Sequence, residues 1–411
     1  MEKSLEIDLP AQQKQPPKLS LELSTEMVQI YRGWDALERG HHGPEIIDFD
    51  MASVGGSISY GCRREVLEAL TGLHGKLDAA NGGEEEFLRA RLGGSIAYLR
   101  VLMGQQIDFP SYLRSTLGVD PEPFSSEEME NARRAAAEAL APFNLDLRIE
   151  DRERFDSQFL VNDPNTIRKG IVGAKDLWLK RLSETGIPVP QQLLLSVQFT
   201  EVDAYWSNWI NGTALKGITL SINLHARKKY DRGRPLVLCL HEVCGHAVQM
   251  SLWREMIARG ELNQACGVTT VHAPEAFVAE GLAQTVPDLL SDDWTFPPEF
   301  KLSRALSYYN LAVLHNAHLM IYRGLPVEQI LDYASDCLPL SDPSTLEYEI
   351  RDRALNPLFR SYELSYAIAE RTIRGLIRGL PVASKRQLFL EMYTRPLTPG
   401  QLRKAGERIR G

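Results

Sequence analysis

The stretch that most constrains this 411-residue chain runs from Pro235 to Gly260, PLVLCLHEVCGHAVQMSLWREMIARG. An apolar lead-in runs straight into His241-Glu242, and His246 follows five positions after His241. Beyond it Val248, Leu252 and Met256 return at helical spacing with polar residues between them. That pattern predicts a buried helix carrying two imidazoles and a carboxylate in its first turns. Two neutral imidazoles can hold a zinc ion, and a Glu beside the first can act as general base on the water that the ion carries.

The spacing adds a structural demand. In the usual H-E-x-x-H pattern the imidazoles sit four residues apart, about 40° apart around a regular helix, whereas five residues place them about 140° apart, too far for one ion. One extra residue absorbed as a π-bulge, with an i to i+5 hydrogen bond, brings them back together. The motif therefore predicts a local departure from α-helical geometry, with Gly245 as the residue that tolerates it and Cys244 as a small buried residue at the bulge or, as the alternative, a thiolate ligand competing with His246.

A second segment, Glu275 to Leu290, reads as another helix with Phe277, Leu282, Val286 and Leu289 as apolar positions. Glu280 lies in the middle of it. On an exposed face it would be an ordinary surface residue; on the apolar face it needs a partner or a metal. His241, His246 and Glu280 with one open position form the donor set of a catalytic zinc.

The sequence His241-Glu242-x-x-x-His246 followed by Glu280-Gly281-Leu282-Ala283 resembles the metallopeptidase group that includes the microtubule-associated tyrosine carboxypeptidases. The stretch Arg360-Ser-Tyr-Glu-Leu-Ser-Tyr366-Ala-Ile-Ala is similar to a late Tyr-containing helix in a second group of bacterial zinc peptidases, whose motif is H-E-x-x-P-G-H. The resemblance covers about the C-terminal half, from Ile218 to Leu376, and only the two motif blocks are specific. It implies a gluzincin-like enzyme with one Zn2+ on His241, His246 and Glu280, and Glu242 as base. It also ranks Tyr366 and Arg360 first among the groups that could polarise a carbonyl oxygen or hold a substrate carboxylate. The alternative for the arginines of this region is pairing one turn away with Glu347, Glu349 and Glu370.

The rest of the chain excludes more than it assigns. Lysine and arginine are dispersed and the formal net charge is −8, so no nucleic-acid footprint is expected. No apolar run approaches the roughly 20 residues that span a bilayer, and the first residues lack the apolar core of a signal peptide. Five scattered cysteines argue against a disulfide framework and predict reduced thiols and a cytoplasmic location.

In chain order, residues 1–19 are polar and proline-bearing and predict a disordered or loosely attached segment. Residues 20–165 read as helices forming one wall of a cleft, with DFPSYLRSTLGVDPEPF as a connection between them and a Ser-Ser-Glu-Glu N-cap before the last. His41 and His42 at a helix end read as exposed. Residues 166–411 read as a zincin-like catalytic region, continuous with or separate from 20–165. There Gln191–Phe199 and Lys216–Leu224 predict a small antiparallel sheet ahead of the metal helix, with an edge strand able to bind an extended peptide. His225, Arg227 and Lys228 follow it as possible cleft residues. Pro287, Pro297 and Pro298 mark a loop, and His315 and His318 on the next helix are either hydrogen-bonded core or a second metal site.

The expected fold is mostly α, a large helical fold with a small antiparallel β-sheet beside the metal-binding helix. The expected activity is zinc-dependent hydrolysis of a peptide or amide-containing small molecule. Two rival readings use the same residues. One is non-haem iron or manganese redox chemistry on the His/His/Glu set; the other is an inactive helical binding scaffold.

Overall fold

The computed structural model describes residues 18–78, 83–161, 163–191, 193–204, 206–225, 228–270, 272–356 and 360–411. Of the expected loose segment 1–19, residues 1–17 lie outside the described residues, as does Arg227.

The fold is mostly α, as the apolar periodicity predicts. Lys18–Gly40, Arg63–Asp78, Gly83–Leu102 and Ser126–Leu140 form the N-terminal helices. Ser125 caps the last of these in a capping box: its side chain accepts from the Glu128 backbone while the Glu128 carboxylate accepts from the Ser125 backbone. The segment read as a proline-punctuated connection contains a further helix, Phe109–Leu117, capped by the Asp108 side chain and closed by Gly118 at φ 71°. Pro110 stands in its first turn, where proline starts a helix instead of breaking one. Pro287 likewise lies inside a helix, Pro274–Leu290, which continues past it to its last turn.

The sheet differs from the expectation. It has five strands in the order β2-β4-β3-β1-β5, these being β1 (Phe49–Asp50), β2 (Leu195–Thr200), β3 (Asn208–Thr213), β4 (Gly217–Asn223) and β5 (Val268–Thr269). β2 and β4 pair in parallel and β4 pairs antiparallel to β3, so the sheet is mixed. The two runs read from sequence do pair with each other, but β3 intervenes in the chain and reverses its direction once more. β4, expected beside the site, is an interior strand. β1 comes from the N-terminal region and joins β3 in parallel and β5 antiparallel, which ties residues 20–165 into the same sheet as residues 166–411.

The helix that bears His241 and His246 lies between two apolar clusters. Leu238, Val243, Cys244 and Leu252 pack with the C-terminal helices and with Leu282 and Val286 of Pro274–Leu290. Ala247, Met250 and Trp253 pack with the N-terminal helices through residues such as Met27, Trp34 and Tyr98. A helix buried on both sides reads as continuously apolar around its two histidines, which is the pattern of its sequence. None of the five cysteines forms a disulfide. No helix among the described residues is long and apolar enough to cross a membrane.

Candidate metal centre

From Cys239 to Ala247 the helix bearing the two histidines is a π-helix, flanked without interruption by α-helical Arg234–Leu238 and Val248–Ala258. This is the defect that the five-residue spacing demands. It carries His246 round to His241, and their Nε2 atoms stand 3.2 Å apart with the rings nearly perpendicular, at 81°.

Gly245 plays a different part from the one its flexibility suggests. A Cβ there would lie 2.6 Å from Ala283 Cβ and 2.8 Å from Ala283 Cα, so glycine is needed to let the helix Pro274–Leu290 approach. A Cβ on Gly281 would in turn meet Ile373 Cδ1 at 2.6 Å and Ala369 Cβ at 2.9 Å, on the helix Tyr362–Ile377. The E-G-L-A block thus holds one ligand, two close helix contacts and the fully buried Leu282.

These contacts aim Glu280 at both imidazoles. Its Oε2 is 3.3 Å from His241 Nε2 and 3.5 Å from His246 Nε2. Three corners of a tetrahedron around zinc, with bonds of about 2.0–2.1 Å, are about 3.3 Å apart. The observed triangle of 3.2, 3.3 and 3.5 Å fits that ion, and these three residues are the group among the described residues with ligand atoms placed to hold a metal. Burial would raise the Glu280 pKa, but the two imidazoles, His246 first, outweigh it and hold the carboxyl far below the usual range. Burial would lower that of His246, and the Glu280 carboxylate overturns this and raises it. Glu280 Oε1 accepts from Tyr362 Oη at 2.8 Å, and Tyr366 Oη donates to Tyr362 Oη at 2.9 Å. Burial and the nearby Glu280 charge push both phenols well above their ordinary pKa, so both stay protonated.

Glu242 is 2% exposed. Its Oε1 accepts from Asn208 Nδ2 at 2.5 Å and lies 3.8 Å from His241 Nε2, while its Oε2 has no hydrogen-bond partner. One oxygen is therefore fixed by β3 and the other is free. These groups line a cavity of about 300 Å³ that also takes in Trp206, Arg234, Tyr348 and Arg353. β1 pairs with Gly212 and Thr213 of β3, and the earlier strand residues Asn208 to Ile210 line the cavity.

No protein-family model matches the chain, and no curated protein matches it. Among solved structures it is similar to a protein of Colwellia psychrerythraea described as a "putative lipoprotein", at 14% identity and a TM-score of 0.53. The match covers 84% of this chain and 61% of that one, so this chain spans less than two thirds of its length. At this identity the likeness is one of fold.

The other expected residues fall in three places. Tyr366 lines the cavity. Arg360 does not: its guanidinium lies over the rings of Tyr112 and Tyr322, 4.8 and 5.4 Å from their centroids, and donates to the Ile107 carbonyl. An arginine already donating to backbone and stacked between two rings is a packing element. Arg351 pairs with Glu347 one turn away, and Arg353 with Glu363 at 2.6 Å. His315 and His318 are core: their Nε2 atoms meet the carbonyls of Glu122 and Arg360. His41 and His42 are exposed, and His225 and Lys228 are not among the cavity-lining residues.

Sequence reasoning missed Asp48, Asn208 and the anchoring role of Tyr362. Asp48 comes from the N-terminal region, read from sequence only as helices walling a cleft, and it lines the cavity. Burial, then Glu45 and Glu280, push its pKa well up, against the pull of His246. Asn208 follows Trp206 and Ser207 at the start of a strand with no alternation to reveal it. Tyr362 carried a signal, since it lies one turn before Tyr366 on the same face.

Proposed function

We propose that this protein is a metal-dependent hydrolase, with zinc the resident ion, that cleaves a peptide or amide bond, and that it works in the cytoplasm. The observation that carries the reading is the triangle of His241, His246 and Glu280 donor atoms with the unpaired Glu242 Oε2 at its side. A divalent ion on such a triangle supplies a Lewis acid that acidifies water and polarises a carbonyl.

The chain's own residues supply the rest. Glu242, held through Oε1 by Asn208, uses Oε2 to take a proton from the attacking water and return it to the leaving nitrogen. Tyr362 keeps Glu280 turned toward the imidazoles, the role that outer hydrogen bonds play around metal ligands. Tyr366, protonated and at the cavity wall, turns its hydroxyl from Tyr362 to the developing oxyanion. β3, whose Asn208 to Ile210 line the cavity, gives an extended substrate backbone a strand to lie along.

Elemental analysis of untagged wild type and Glu280→Ala, followed by a peptide-library screen with Glu242→Gln as control, tests this. The expected result is about one zinc per chain, lost in Glu280→Ala, with hydrolysis abolished in Glu242→Gln while its metal remains. Iron in place of zinc, or full activity in Glu242→Gln, would overturn the hydrolase. Metal absent from both proteins would leave a binding scaffold.

A further inference from the structure

The cavity wall is strongly unbalanced in charge. Seven acidic side chains line it against two guanidinium groups, and no lysine, with burial raising the pKa of Asp48, Glu275, Asp352 and Glu363. A divalent ion on the His/His/Glu triangle would neutralise only part of the difference. Several charges are already matched: Arg353 is paired with Glu363 and Glu275 with the buried Arg91 at 3.1 Å. Arg234 gives its backbone N–H to Asp231, which lies outside the cavity lining, and its Nη2 is 3.5 Å from Asn208 Oδ1. For Glu349 no cationic side chain among the described residues stands within ion-pair distance, and at Asp352 burial outweighs the pull of Arg353 and Lys228.

A second observation is independent of this count. Of the cavity-lining side chains, Glu242 Oε2, Glu275 Oε1 and Oε2, Glu280 Oε2 and Asp352 Oδ2 are buried and lack a hydrogen-bond partner, as does the Thr270 hydroxyl. Glu242, Glu275 and Thr270 are each at most 3% exposed. A buried carboxylate oxygen left unpaired is costly, and each of these can only accept. The metal would satisfy Glu280 and the attacking water Glu242. Arg91 supplies the charge facing Glu275, which leaves Asp352 Oδ2 as the carboxylate oxygen of the wall that still asks for a donor.

We infer that this cavity takes substrates bearing an ammonium group, held on the wall formed by Glu349 and Asp352, and excludes those presenting a carboxylate. An ammonium brings three donors and one positive charge on a compact head. A carboxylate would bring acceptors and like charge into a field that the cavity walls focus. The ammonium can be the α-amine of a peptide or the side-chain amine of a lysine. The inference rests on the hydrolase reading for the word substrate, but binding does not require turnover.

Calorimetric binding of four probes to Glu242→Gln, both metal-free and zinc-loaded, tests it. The probes are leucinamide (α-amine only), N-acetyl-lysinamide (side-chain amine only), N-acetyl-leucinamide (neutral) and N-acetyl-leucine (carboxylate). One or both amines should bind about tenfold or more tightly than the neutral probe, and the carboxylate most weakly. A preference for leucinamide assigns the site to free N-termini, and for N-acetyl-lysinamide to basic side chains. Glu349→Gln with Asp352→Asn should abolish the preference, with Glu349→Gln alone as the milder variant should the pair not fold. Equal or tighter binding of N-acetyl-leucine, or an amine preference untouched by either variant, would overturn the inference. Amine binding without hydrolysis by the wild type would instead overturn the hydrolase and leave this inference standing.

Discussion

Ala283 occupies the space that a methyl group on Gly245 would need, with its Cβ and Cα 2.6 and 2.8 Å from that position. The pair is the point where the helix bearing Glu280 touches the helix bearing both histidines. Gly245→Ala must push the two helices apart, since Ala283 Cα is backbone and cannot rotate away. The expected cost is about 1–3 kcal/mol of stability, with metal affinity reduced as Glu280 withdraws from the imidazoles. Ala283→Gly in the same chain should restore part of both. Thermal unfolding and chelator competition measure them, and a Gly245→Ala protein with unchanged melting and metal content would refute the contact.

Tyr362 holds Glu280 Oε1 at 2.8 Å, and Tyr366 reaches the ligand only through Tyr362. Tyr362→Phe should therefore weaken metal binding about 10–100-fold, the usual cost of losing an outer hydrogen bond to a ligand. Tyr366→Phe should leave metal affinity near wild type and act on turnover. Equal metal affinities in the two variants would show that Tyr362 does not anchor Glu280.

Three buried histidines outside the metal centre, His272, His315 and His318, are pushed down by burial to pKa values of about 3, about 4 and about 3. The unfolded chain protonates them near 6.5 and the folded one does not, so it is the unfolded state that gains protons as pH falls. Their contribution to stability is complete above about pH 6.5 and declines below it, by at most about 1.4 kcal/mol per pH unit for each. Urea midpoints should fall from pH 6.5 to 4.5, and His315→Gln should fall less steeply. A midpoint that stays level over that range would mean that these imidazoles protonate inside the fold.

Arg360 tests the boundary between site and scaffold. Stacked on Tyr112 and Tyr322 and bonded to Ile107, it should matter for stability and not for substrate. Arg360→Ala is expected to lower the melting temperature through lost packing and cation–π contact, about 1 kcal/mol or more. KM for any substrate of the folded protein should stay unchanged. A large rise in KM at wild-type stability would return Arg360 to the binding site.

The metal helix was legible because its chemistry is local. A spacing of five within one helix leaves few conformations that let two histidines share an ion, so H-E-x-x-x-H by itself called for the π-helical segment Cys239–Ala247. Glu280 was legible as a charge on an apolar helix, and the caps and periodicity of the N-terminal helices as local patterns. The sheet was only half legible: strand runs show in the residues, but parallel or antiparallel pairing depends on how many times the chain reverses between them, and β3 carries no alternation.

What the sequence determined by itself is the donor set and the helical defect that assembles it, because both are fixed within a few residues of chain. Tertiary structure alone decided that Asn208 and Tyr362 hold Glu242 and Glu280, that Asp48 enters the cavity from the far end of the chain, and that Arg360 stays out. Those relations join residues from 34 to more than 200 positions apart, and burial, packing and charge at such separations are set only when the elements meet.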